Sequence, residues 1–168
     1  MAEKDTLISN KIKYNGIFSF SDFYNFCYKW LTEETGLAIF ENKYEEKLEG
    51  DAKKIQIEWS GGKELTDYFK FEIKVKFRIT GLTKVEITQN GKKIETNKGS
   101  VEIKVDGILV RDYSGKFETT AFQKFLRSIY EKWVIPSRIN EFARKIIIGD
   151  SDEFLSQTKA YLDLEGKR

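Results

Sequence analysis

From Phe69 to Ile79 every second residue is large and apolar, and every residue between them is charged. Phe69, Phe71, Ile73, Val75, Phe77 and Ile79 share one side, and Lys70, Glu72, Lys74, Lys76 and Arg78 share the other. A period of two belongs to a β-strand with one face in a core and one in water. A strand of this kind cannot bury its apolar side alone, so the chain must supply further strands and a second layer to cover them.

The same alternation recurs on both sides. Ile12, Tyr14, Phe18 and Phe20 alternate with polar residues from Lys11 onward, whereas residues 1–10 carry little pattern and are expected to form a flexible tail. A strand with mixed alternation is expected from Leu37 to Leu48, and Ile55, Ile57 and Trp59 mark another. Three segments have turn composition: Ser60-Gly61-Gly62-Lys63, Thr80-Gly81 and Asn97-Lys98-Gly99. Asn90-Gly91 is the strongest hairpin signal, since both positions of its turn need positive φ. Pairing Gln89 with Lys92 sets Ile87 opposite Ile94, so the apolar positions agree across that hairpin. A last strand starts at Val101, Ile103 and Val105 and continues past Gly107 to about Tyr113.

Helical periodicity brackets the strands. After the capping residue types Ser21 and Asp22, Phe23, Phe26, Cys27, Trp30 and Leu31 recur as one helix face that stops at Gly36. Thr120 and Gln123 form a capping box for a long helix bearing Phe122, Phe125, Leu126, Ile129, Tyr130 and Trp133. Pro136 ends or kinks it. Two further helical segments are expected, one from Ser137 to Gly149 and one from Ser151 or Asp152 to before Gly166.

These elements predict an α+β domain over residues 11–166: a curved antiparallel sheet of about six to seven strands, packed by a long helix, with a helical C-terminal extension over 137–166. The order of elements from Lys11 to Val134 resembles the helix-grip fold of the START and Bet v 1-like superfamily, with one early helix where that family commonly has two. The resemblance lies in element order and includes no family motif. It implies an apolar cavity between the sheet and the helix from Thr120 to Val134 that holds a hydrophobic or amphipathic ligand such as a lipid.

Composition narrows the chemistry. A chain of 168 residues with 40% hydrophobic and 14% aromatic content can bury roughly 70% of its unfolded surface and fold unaided. No histidine is present, which removes histidine acid-base catalysis, the Ser-His-Asp and Cys-His nucleophile systems, and imidazole metal sites. A single cysteine, Cys27, leaves no disulfide or CxxC zinc pair. No cofactor is called for. No apolar run approaches the roughly 18 residues of a membrane span, so a reducing cytoplasmic setting is the expectation. With 29 Lys and Arg against 27 Asp and Glu, the net charge of +2 is too small to imply a polyanion partner.

Several positions remain candidates for function. Gly61-Gly62-Lys63 lacks the spacing and the Ser or Thr of a phosphate loop. Glu33-Glu34 and Glu45-Glu46 are adjacent pairs whose carboxylates diverge. Cys27 belongs to a buried helix face. In the last strand, persistent phase turns Leu109, Arg111 and Tyr113 inward, whereas a bulge at Gly107 turns Ile108, Val110 and Asp112 inward; either way one charged group meets the interior and needs a partner. Tyr24 and Tyr28, four apart on the shoulder of the first helix, can show their rings to a pocket.

A binding module without enzymatic activity is therefore expected, with Tyr24, Tyr28, Arg111, Asp112, Tyr113, Tyr130 and Trp133 as ligand contacts. The alternative is a protein-interaction or self-association module that docks through Phe142, Ile146, Phe154 and Tyr161. A weaker alternative is contact with RNA or the ribosome through Lys70, Lys74, Lys76 and Arg78, a row that Glu72 interrupts and that Glu58, Glu86, Glu102 and Asp106 could neutralise.

Overall fold

The protein is described by a computed structural model over residues 3–111 and 137–166. Along the chain stand β1 (Glu3–Phe18), α1 (Phe20–Lys29) running into a π-helical turn (Trp30–Glu34), β2 (Ala38–Glu49), β3 (Ala52–Glu64), β4 (Phe69–Gln89), β5 (Lys92–Arg111) and α2 (Ser137–Gly166). The architecture is α+β: a five-stranded antiparallel sheet, a short N-terminal helix and a long C-terminal helix packed on the sheet. Strand order is β1-β5-β4-β3-β2, so the first strand lies beside the last. In outline this agrees with a helix-grip arrangement.

The alternation of β4 sets the layers. Phe69, Phe71, Ile73, Val75, Phe77 and Ile79 are buried on the helix side, together with Ile55, Ile57 and Trp59 of β3 and Val101, Ile103 and Val105 of β5. The cover is divided between the helices. Phe23 of α1 meets Phe77 edge-on at 6.0 Å, and Tyr24 meets Trp59 at 5.3 Å. α2 lies over β1 and β5, where Ile147 and Ser151 approach Gly107 so closely that a side-chain carbon there would stand 2.6 Å from the Ser151 hydroxyl.

The Asn90-Gly91 hairpin has the expected register, with Gln89 opposite Lys92 and Ile87 opposite Ile94. Its turn residues take φ of 51° and 77°. The phase of β5 also persists through Gly107, which leaves Leu109 in the core and Arg111 on the helix side; Ile108 and Val110, on the opposite face, are buried as well.

Three expectations are corrected. Residues 3–10 belong to a strand rather than a tail, because β1 begins at Glu3 and pairs there with Arg111. Among the described residues there are five long strands rather than six or seven, since three segments of turn composition lie inside strands. At Thr80-Gly81 the chain makes a bulge, with Gly81 and Leu82 opposite Gly99, and Asn97-Lys98-Gly99 continues β5. Gly61 and Gly62 sit within β3 because its neighbours crowd them: a side chain at Gly61 would strike the Ala38 carbonyl, and one at Gly62 would lie 2.6 Å from that of Phe71. Finally, the two expected C-terminal segments form one helix that passes through Gly149 without a break. The long helix expected from Thr120 to Val134 lies outside the described residues.

Helix α1 begins two to three residues earlier than its capping composition suggests. Ser19 is the N-cap and its hydroxyl accepts from the Asp22 amide at 3.4 Å, while the Phe20 amide donates to Asn97 Oδ1 at 3.0 Å. This second bond ties the helix start to β5, next to the bulge.

Candidate functional site

The bulge, the start of α1 and the β2–β3 hairpin meet at one end of the sheet and leave a groove of about 480 Å³ between them. Its apolar lining comes from Phe20, Leu48, Ile55 and Leu82, and its polar lining includes Lys53, Lys84 and Asn97. Local geometry explains each group. The extra residue in β4 brings Leu82 to the helix side, where it is buried. Asn97 holds the floor, accepting from Phe20 N and donating to the Thr83 carbonyl at 3.4 Å. Lys53 approaches Glu46 at 3.8 Å on the rim. Leu48 is 76% exposed, the largest exposure among the large apolar side chains described. A concave site with apolar walls and a few polar groups is the usual form of a small-molecule pocket.

Tyr24 and Tyr28 do come together, but around a packed ring rather than an empty space. Both stand edge-on to Trp59, at 5.3 and 5.8 Å, and Trp59 is buried. The Tyr24 hydroxyl donates to Glu41 Oε1 at 2.8 Å, and Trp59 Nε1 donates to the same oxygen at 3.2 Å. Burial, followed by this bond to Glu41, pushes the Tyr24 phenol up to about 12. Tyr44, which donates to Glu46 Oε1 at 2.6 Å, is likewise raised by burial and by its carboxylate. These phenols are held as neutral donors and are poorly placed to act as bases or nucleophiles.

Arg111 faces the helix side at the opposite end of the sheet, beside Phe69, and its guanidinium pairs with Asp5 at 2.6 Å. The charged group that needed a partner has one within β1. The sequence-named ligand set is therefore split: Tyr24 and Tyr28 lie on α1 over Trp59 of β3, Arg111 at the far end of the sheet, and Asp112, Tyr113, Tyr130 and Trp133 outside the described residues.

The set named for partner docking also divides. Phe154 is a core residue, fully buried with its ring 5.7 Å from Trp30, so it is corrected from a docking contact to a packing one. Tyr161 stacks on Phe26 with ring centres 4.4 Å apart. Ile146 is half-buried, and Phe142 is 58% exposed.

The remaining chemical candidates have structural occupations. Lys63 donates to the Thr35 carbonyl at 2.5 Å and pairs with Asp150 at 3.3 Å, clasping the π-helical turn to α2. Cys27 is fully buried, and burial raises its thiol well above the ordinary range. Glu45 lies between Lys43 and Lys47 while Glu46 bonds Tyr44, so that pair diverges. Among the described residues, no group of three Cys, Asp or Glu is placed to hold a metal ion, and no helix is long and apolar enough to cross a membrane.

Sequence reasoning missed the groove. Its one legible signal was Leu48, a lone apolar residue in the charged run Glu45-Glu46-Lys47-Leu48-Glu49. Phe20 and Asn97 were assigned to a strand end and a turn, and the inward position of Leu82 depends on a bulge that composition does not place. Comparison with known proteins gives no match, either to a family model or to a characterised protein.

Proposed function

We propose that this protein is a non-enzymatic binding module whose ligand is amphipathic and occupies the groove between the start of α1, the β2–β3 hairpin and the β4 bulge. The carrying observation is the exposure of Leu48 at the mouth of a concavity that also presents Phe20, Ile55 and Leu82. An apolar chain laid there removes those side chains from water, at roughly 25 cal/mol per Å² covered. Lys53, Lys84 and Asn97 offer a polar end its hydrogen bonds. This placement differs from the cavity that a helix-grip fold implies beneath its long helix. Among the described residues the helix side of the sheet is filled by Trp59, Phe77, Phe23 and Phe18, and the groove is the space beside that packing.

Docking through α2 has less support, because Ala143, Ile147, Phe154 and Leu162 are consumed in the intramolecular core, which leaves Phe142, Ile148 and Leu164 as the exposed large apolar side chains described on it.

A lysophospholipid titrated below its micelle concentration, followed by amide chemical shifts, tests the reading. Shifts concentrated at Phe20, Leu48, Leu82 and Asn97, and an affinity at least tenfold weaker in Leu48→Asp, are expected. Since Leu48 is exposed, the variant should keep its thermal midpoint. Uptake unaffected by Leu48→Asp, or no shifts in the wild-type groove, would overturn it.

A further inference from the structure

The face of the sheet opposite the helices carries a charge distribution that the net charge of +2 conceals. Reading across the strands, Lys11 of β1 stands directly opposite Lys104 of β5, and Lys104 directly opposite Lys76 of β4. Only then does the row reach Glu58 of β3. Three lysines in register on adjacent strands, about 4.8 Å apart, repel one another and reduce sheet stability. Carboxylates on this face answer the row only in part, although Glu102 and Asp106 stand directly opposite Arg78 and Lys74. Glu102 pairs with Lys11 at 3.3 Å, Asp106 accepts from the Ser9 hydroxyl at 2.5 Å, and Glu72 pairs with Lys4 at 3.1 Å. Lys74, Lys76, Arg78 and Lys104 are exposed and have no ion pair with any described residue.

We infer that this face binds the phosphate backbone of a nucleic-acid duplex. Lys74, Lys76 and Arg78 recur along β4 at roughly 7 Å intervals, with Lys104 beside them, so several phosphates can be met at once. Two shallow depressions that share Arg78 and Glu102, of about 440 and 220 Å³, lie between these side chains and are lined by Ser100, Thr80 and Gln56, which can donate to phosphate oxygens. The occupant is a backbone rather than splayed bases. Among the described residues no aromatic side chain of β1, β3, β4 or β5 points to this side, and Phe40 stands alone on the edge strand β2, so a stacking platform for single strands is missing. An anionic membrane is disfavoured for a related reason: the central rows expose no apolar group to insert among lipid tails. The site is on the opposite side of the sheet from the main helix packing and does not depend on the groove.

The test uses the full chain, a fluorescently labelled 20-base-pair RNA duplex, and anisotropy over a salt series. Wild type should bind at low salt, with log K falling steeply as log salt rises. The triple variant Lys74→Gln/Lys76→Gln/Lys104→Gln should bind at least tenfold more weakly, with a slope shallower by about 2 to 3, near 0.9 for each phosphate left without its lysine. Lys29→Gln/Lys145→Gln, which removes two exposed cations from the helices, should leave both unchanged. Lys104→Glu should raise the thermal midpoint while weakening binding, because it sets a carboxylate between Lys11 and Lys76. No binding by wild type, equal weakening in the helix variant, tighter binding to phosphatidylserine vesicles than to the duplex, or displacement by polyglutamate as readily as by unlabelled duplex would each overturn the proposal.

Discussion

A phenol that donates to a carboxylate loses that bond when it ionises, and Tyr24 is such a phenol. Its folded-state value of about 12 lies above the ordinary 10.0, so the folded chain holds the proton more tightly than the unfolded one. The stabilisation is fully present below pH 10 and is lost as pH rises from there through 12. Tyr24→Phe should therefore cost about 1 kcal/mol at neutral pH and show a flatter decline over that alkaline window. Lysines also titrate there, so the measurement is the difference between the thermal midpoints of variant and wild type across pH. At this scale the sequence was partly legible. The pairing of Tyr24 and Tyr28 on one helix shoulder followed from their spacing, but their target, the buried Trp59 with Glu41 beside it, belongs to strands far along the chain. Gly61 and Gly62 show the limit from the other side. Glycine serves a turn and a close approach equally well, and the carbonyls of Ala38 and Phe71 decide between them.

Among the elements, α2 bears most directly on how the chain is divided. Gly149 and Ser151-Asp152 look like a stop and a start, but glycine inside a helix costs only about 1 kcal/mol. Burial of Ile147 on one side of that point and Phe154 on the other outweighs it. The apolar spacing of both segments was legible; their continuity was not, because it depends on the sheet lying beneath both. A helix that supplies so much of the core is not a separable extension. Truncation after Ile135 should abolish cooperative folding rather than leave an intact sheet, since Ala143, Ile147, Leu155 and Leu162 go with it. Phe154→Ala in the full chain should cost about 3–5 kcal/mol, read as a lowered denaturation midpoint with little change in slope. The Asn90-Gly91 hairpin, by contrast, was legible in full, because its turn and register are decided by residues that are neighbours in sequence.

For the whole molecule, the placement of β1 beside β5 has a consequence in time. The hairpins β2–β3, β3–β4 and β4–β5 form between segments that follow one another, whereas the pairing of Glu3 with Arg111 must close across nearly the whole sheet. Loop closure of that span is an entropic cost met before the pairing rewards it, which places refolding in the range of about milliseconds to seconds. If the β1–β5 ladder forms after the main barrier, Ile12→Ala should accelerate unfolding and leave the refolding rate nearly unchanged in stopped-flow measurements. A refolding rate that falls in proportion to the drop in stability would place this pairing in the nucleus instead. During synthesis the asymmetry is sharper. The strand carrying Ile12, Tyr14 and Phe18 leaves the ribosome before the other described strands, and its partner is the last of these to emerge, so the nascent chain carries an unpaired apolar edge until β5 follows.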